Sequence, residues 1–328
     1  MLDPQARALI DLMVAKGVPP THTLPAAQAR RFYLERRGFT QPDPPPVGAV
    51  RELEAAGPQG AIRLRSYRPA GAAAAGLLPA LLYLHGGGWT IGDLDTHDVV
   101  CRTLCAAAGC AVLAVDYRLA PEHPFPAAFD DSLAAARFVQ AQAAALGLDR
   151  ARLAIGGDSA GGNLAAAVCL ALRDAGEPLP AFQLLIYPAT DMRATAPSHQ
   201  ANGQGYLLTA DTVAYFRGHY MPDPASWDDR RASPLRAASH AGLPPALVLT
   251  AGFDPLRDEG RQYADTLSAA GVSTQYVCFE RQIHGFVTMG RVIDEAHTAL
   301  ALCAAALRRA LADAAASGTQ EGLDRKAV

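Results

Sequence analysis

The sequence predicts an α/β fold, with a mostly parallel central sheet, helices on both faces and a helical cap. Three observations predict it. From about residue 78 onward, short continuous apolar runs alternate with helical patterns, as buried parallel strands and their crossover helices require. Several of these runs end on glycine, serine, a carboxylate or histidine. Two proline-bearing stretches, at the N-terminus and over about 190–240, depart from the rhythm and supply material for a cap.

Taken in order, residues 1 to about 17 and 25–37 place apolar side chains at helical spacing. "QPDPPPV" (41–47) cannot continue a helix and reads as a linker. "AVRELEA" and "AIRLRSYRP" alternate like paired antiparallel strands, and "GAAAAG" (71–76) reads as a low-complexity loop. "PALLYLHGGGW", "AVLAVDYRL", "RLAIGGDS", "FQLLIYP", "PALVLTAGFD" and "STQYVCFE" are the strand candidates that follow. Helices are expected at 127–145, 160–174 and 256–270, with another near 210–220 inside the excursion. The expected organisation is therefore 1–47 as cap helices and linker, 48–317 as the main α/β domain with its excursion at about 190–240, and 318–328 as a mobile tail.

The chain of 328 residues, half of them hydrophobic, can bury a substantial core. A net charge of -3 with no basic block argues against a nucleic-acid partner. Asp3, Arg7 and Asp11 break the N-terminal apolar pattern, so no signal peptide is read there. "TALALCAAALRRALADAAA" comes nearest to a membrane span, but Arg308, Arg309 and Asp313 interrupt it. The six cysteines form no C-x-x-C pair and read as reduced, packed thiols. The expectation is a cytoplasmic protein with no metal and no cofactor; a homodimer is left open.

In open parallel sheets, ligands bind beyond the carboxyl ends of the strands. Four strand ends carry His85-Gly86-Gly87-Gly88-Trp89, the turn Gly157-Asp158-Ser159-Ala160-Gly161, Gly252-Phe253-Asp254, and His284 in "RQIHGF". These types belong together chemically. A serine hydroxyl needs an adjacent base to act as a nucleophile, and histidine is the natural base near neutral pH. A carboxylate behind the imidazole fixes its tautomer. Backbone N–H groups of a glycine run, with that of Ala160 at a helix start, can hold the oxyanion of acyl transfer.

"HGGGW", "DYRLAPEHPFPAA", "GDSAGGNLAA", "DPLRDEG" and "IHGF", in this order, resemble the bacterial hormone-sensitive-lipase family of carboxylesterases, which has the α/β-hydrolase fold. The matches span about 85–286. The resemblance implies Ser159 as nucleophile, Asp254 as acid and His284 as base. It assigns Gly86, Gly87 and Gly88 to the oxyanion loop.

Each residue also has a plainer reading. The Ser159 turn could be a tight packing turn. Asp258 and Glu259 compete with Asp254 but fall inside the following helix, where caps or ion pairs are expected. His297 lies on a helix, and His22, His199, His219 and His240 lie in cap or surface segments, whereas His284 directly follows the last strand. His85 reads as a support for the glycine loop, and Asp158 receives no chemical role. "YRLAPEHPFPAA" reads as a stiff connection. The implied function is hydrolysis of a small-molecule ester through an acyl-enzyme, on short- to medium-chain acyl groups. An amidase, deacetylase or acyltransferase would use the same machinery. A silent receptor would tolerate loss of the base, and a long-chain lipase would call for a large apolar lid.

Overall fold

Alternate residues of the apolar runs face opposite sides of one sheet. Ala80, Leu82 and Leu84 of β3 (Leu78–Leu84) pack into one core, and Leu81 and Tyr83 into the other. β4 (Ala111–Asp116) divides in the same way, as does β7 (Ala246–Phe253). The computed structural model describes residues 1–72 and 76–324. The centre of the expected loop 71–76 thus lies outside the described residues.

Among the described residues, eight strands form the sheet, in the order β1-β2-β4-β3-β5-β6-β7-β8. β1 (Ala49–Gly57) and β2 (Gly60–Arg68) make the antiparallel pair read from the sequence, and β2 meets β4 antiparallel. From β4 through β3 and β5 (Leu148–Asp158), then β6 (Phe182–Ile186), β7 and β8 (Thr274–Ile283), all pairings are parallel. Parallel strands bring their carboxyl ends to one edge, which is what gathers the candidate side chains.

The two N-terminal helices, α1 (Pro4–Ala15) and α2 (Ala26–Thr40), behave differently. Asp3 caps α1 by accepting from the N–H groups of Gln5 and Ala6. Ala6 and Leu9 then bury in the core on the side of the sheet that also holds the C-terminal helix, and Gln5 Nε2 donates to Asp294. α2 instead lies along the carboxyl edge. Arg30 donates to the carbonyls of Thr90 and Ala120 and pairs with Glu122. The stiff "YRLAPEHPFPAA" segment is thereby a joint: Phe125 N–H also donates to the Tyr220 carbonyl.

α3 (Asp98–Ala108) covers one face of the sheet, and α4 (Ala127–Gln142) and α5 (Ala160–Asp174) cover the other. The sequence pattern singles out α4 and α5 but passes over α3. The excursion after β6 contains α6 (Pro197–Ala201) and α7 (Ala210–Tyr220), the latter over the expected span. α8 (Arg257–Ala269) joins the α4–α5 face, and α9 (Glu295–Asp324) joins α3. Residues 318–324, expected in a mobile tail, continue α9. Residues 325–328 lie outside the described part. No helix among the described residues is long and apolar enough to cross a membrane.

Candidate active site

β5 ends at Asp158 and α5 begins at Ala160, so Ser159 alone makes the corner. Its backbone sits at φ 55° and ψ -117°, a region that side-chain-bearing residues rarely occupy. Such strain costs on the order of 1–3 kcal/mol. The Ser159 N–H donates to the Ile186 carbonyl at 2.8 Å, and its carbonyl accepts from Asn163 N–H. The flanking glycines are required by crowding. A Cβ at either Gly157 or Gly161 would overlap the Leu84 carbonyl oxygen at the end of β3.

Three strand ends then converge. His284 Nε2 lies 2.9 Å from Ser159 Oγ, and His284 Nδ1 lies 2.7 Å from Asp254 Oδ2. Asp254 is wholly buried, and its other oxygen accepts from Leu256 N–H at 2.8 Å. The Asn202 amide donates to the carbonyls of Gly252 and Asp254, bracing this strand end from the excursion. The Tyr187 ring packs against the imidazole, with centroids 4.6 Å apart. With Asp254 on Nδ1, the proton rests there and Nε2 is left to accept from the serine hydroxyl. Most competing groups hydrogen-bond elsewhere, and His219 meets the Tyr215 ring edge-on. Asp258 pairs with Arg257, and buried Glu259 takes His199 at 2.6 Å and Thr190 N–H. His297 contacts the Gly290 carbonyl, His240 that of Pro234, and His22 the Thr212 hydroxyl.

The glycine loop requires one correction. Gly86 N–H is not open to a ligand, because it donates to Asp158 Oδ1 at 2.9 Å. The N–H groups of Gly87, Gly88 and Ala160 have no acceptor among the described residues. Asp158, to which the sequence suggests no role, is therefore the loop's anchor. The Tyr83 hydroxyl donates to the same oxygen at 2.8 Å, and His97 Nε2 lies 3.2 Å away. Burial alone would raise the Asp158 carboxyl, but attraction and hydrogen bonding from His97 and Tyr83 outweigh it and hold it below its usual range. His85 supports the loop as read: its Nδ1 contacts the Gly86 carbonyl, and it stacks on Tyr117 at 4.2 Å. Burial, and then the nearby His97, push the His85 imidazole down to about 4. Nothing in the periodicity marks Asp158. Only its place between Gly157 and Ser159, at the end of a central strand, could have drawn notice.

A cavity of about 120 Å³ opens above Ser159. The glycine loop and His284 form its floor, and side chains of α2 and α7 its roof, including Tyr33, Arg36 and Phe216. Among the described residues, no group of histidine, cysteine and carboxylate side chains could hold a metal ion.

A family model for the alpha/beta hydrolase fold matches residues 81–288. The carboxylic ester hydrolase LipN of Mycobacterium tuberculosis is 44% identical over 299 residues, covering 88% of this chain and 77% of the relative. The ethyl acetate hydrolase of Pseudomonas putida is 40% identical, covering 94% of this chain and 99% of the relative. Among solved structures, an alpha/beta hydrolase from the metagenome of Lake Arreo superposes with a TM-score of 0.91 at 49% identity, covering 94% of this chain and 98% of the other. A thermostable esterase from Pseudomonas putida superposes equally well, at 34% identity over 94% of this chain and 98% of the other. The chain belongs to the α/β-hydrolase family, in its hormone-sensitive-lipase-like carboxylesterase branch.

Proposed function

We propose that the protein hydrolyses short- to medium-chain acyl esters of small molecules, with Ser159, His284 and Asp254 as its catalytic triad. The observation that carries this reading is the unbroken pair of hydrogen bonds from Ser159 through His284 to Asp254, at the floor of an open cavity. Ser159 Oγ attacks the ester carbonyl carbon while His284 Nε2 takes its proton. The carbonyl oxygen gains negative charge and is held by N–H groups of Gly87, Gly88 and Ala160. The imidazolium, steadied by Asp254, returns the proton to the leaving alcohol. Water then attacks the acyl-serine by the same route in reverse, freeing the acid and Ser159. The start of α5 lies just behind the oxyanion, where its aligned peptide dipoles favour negative charge.

Cavity size supports the chain-length part. About 120 Å³ is close to the roughly 150 Å³ of a cavity that accommodates benzene. The roof mixes Tyr33 and Arg36 with apolar Val213 and Phe216. Five of the six thiols are buried, which suits a reducing compartment such as the cytoplasm. A series of para-nitrophenyl esters of rising acyl length, with an amide analogue, tests the reading. Turnover of the short esters is expected. A folded protein that cleaves the amide but no ester contradicts it.

A further inference from the structure

The charges lining the cavity are compensated unequally. Its three carboxylates all have partners. Asp158 accepts from Gly86 N–H and Tyr83 and faces His97, Asp191 is clamped by Nε and Nη2 of Arg236, and Glu259 pairs with His199. Its two arginines have none of this kind. Arg217 donates to the Met192 carbonyl and stacks on Trp227 at 4.0 Å, and Arg36 lies 5.0 Å from the centre of the Tyr33 ring. Among the described residues, no carboxylate forms an ion pair with either. Elsewhere on α2, Arg30 pairs with Glu122, Arg37 donates to the Asp95 carbonyl, and Arg31 is exposed to solvent. Burial disfavours the charged form of both cavity guanidiniums. A desolvated cation without a counter-ion is costly, and an anionic ligand relieves that cost. Guanidinium also presents a planar fork that matches a carboxylate.

We propose that Arg36 is a specificity-determining residue that selects esters carrying a carboxylate, so that the preferred substrates are monoesters of dicarboxylic acids or acyl esters of hydroxy acids. This deepens the esterase reading and rests on it. Arg36 meets the part of the substrate remote from the scissile bond, while Ser159 and the loop N–H groups engage the ester itself.

The test compares carboxylates with their isosteric amides. In one arm, monoethyl glutarate is set against the monoethyl ester of glutaramic acid, with the charge on the acyl side. In the other, butyryloxyacetate is set against butyryloxyacetamide, with the charge on the alcohol side. Acid release is followed at constant pH near neutrality, and fluorophosphonate titration counts folded sites. Wild type is expected to favour the carboxylate in one arm by ~10- to 100-fold in kcat/KM, the worth of one charge-assisted contact. Arg36→Met should bring that ratio near unity, and Arg36→Lys should restore part of it. The ratio within one preparation does not depend on how much of the variant folds. Equal ratios in wild type and Arg36→Met, in both arms, overturn the proposal while leaving the esterase reading intact. Wild type inert toward every member of both pairs would overturn both.

Discussion

Ser159 holds a backbone conformation that only the crowding of β3, β5 and α5 around it can enforce. That strain lifts a hydroxyl clear of the sheet, within 2.9 Å of His284. Ser159→Ala should lower kcat by about 10⁴ or more, with circular dichroism and unfolding midpoint little changed. Unimpaired turnover would remove the serine from the mechanism. Asp254→Asn preserves shape but presents the wrong group to Nδ1, so a loss of about 10⁴ in kcat is expected there too. A second residue-scale consequence concerns acid. His85 is held neutral when folded down to about 4, whereas an imidazole in the unfolded chain takes its proton near about 6.5. Unfolding therefore takes up a proton between those values. Its contribution is complete above about 6.5 and is lost as pH falls toward 4, by on the order of 3 kcal/mol at most. The lowered carboxyl of Asp158 acts in the same direction, since its contribution is present at neutral pH and lost on protonation. The urea midpoint should fall from neutral pH to mild acid, and His85→Gln should flatten the fall. An equally steep profile in the variant would contradict the assignment. Ser159, Asp254 and His284 were legible because each stands where a continuous apolar run stops. Asp158 was not, because the direction of its side chain depends on Tyr83 and His97, which come from other elements.

Between β3 and α3, the glycine loop works as a unit. Gly86 is tied down by Asp158, and the next two N–H groups are thereby left facing the cavity. A Cβ at Gly87 would overlap the Ile91 carbonyl oxygen, and Gly87 also holds φ +123°. Gly87→Ala therefore displaces the loop itself. Roughly 10²–10³ in kcat should be lost, with much less change in KM. An unchanged kcat would reduce the loop to packing. Asp158→Ala should act more broadly, costing about 3 kcal/mol of stability by leaving buried donors unmatched, and slowing turnover as the loop loosens. Urea unfolding and steady-state kinetics check both effects. Most elements were readable from period alone: β3 through β8 as apolar runs, and α5 and α7 at their observed spans. α3 was passed over although its faces contrast: Val100, Cys101, Leu104 and Cys105 are buried, while Arg102 and Thr103 are half-buried and Ala106 and Ala107 exposed. The hydrogen-bonding state of Gly86 has no counterpart in any sequence pattern.

For the molecule as a whole, the roof over the cavity comes from two distant stretches, α2 and the excursion that holds α7. The excursion was legible as a break in the strand–helix rhythm. The parting of α1 from α2 was not, since an apolar stripe does not say which surface it will cover. A roof of this size should accept methylenes only up to a limit. Each one buried contributes about 0.8 kcal/mol, so kcat/KM should climb to a maximum on the order of 4–8 acyl carbons and then fall. A profile still rising at palmitoyl esters would indicate a lipase-like tunnel. All of this chemistry requires Ser159 to form the covalent acyl intermediate. It is tested most directly by titrating the protein with diethyl para-nitrophenyl phosphate and mapping the adduct by peptide mass. One phosphoryl group per chain is expected, on Ser159, with activity falling in proportion to its occupancy and no adduct in Ser159→Ala. An adduct on another residue, or inactivation with Ser159 unmodified, would contradict it.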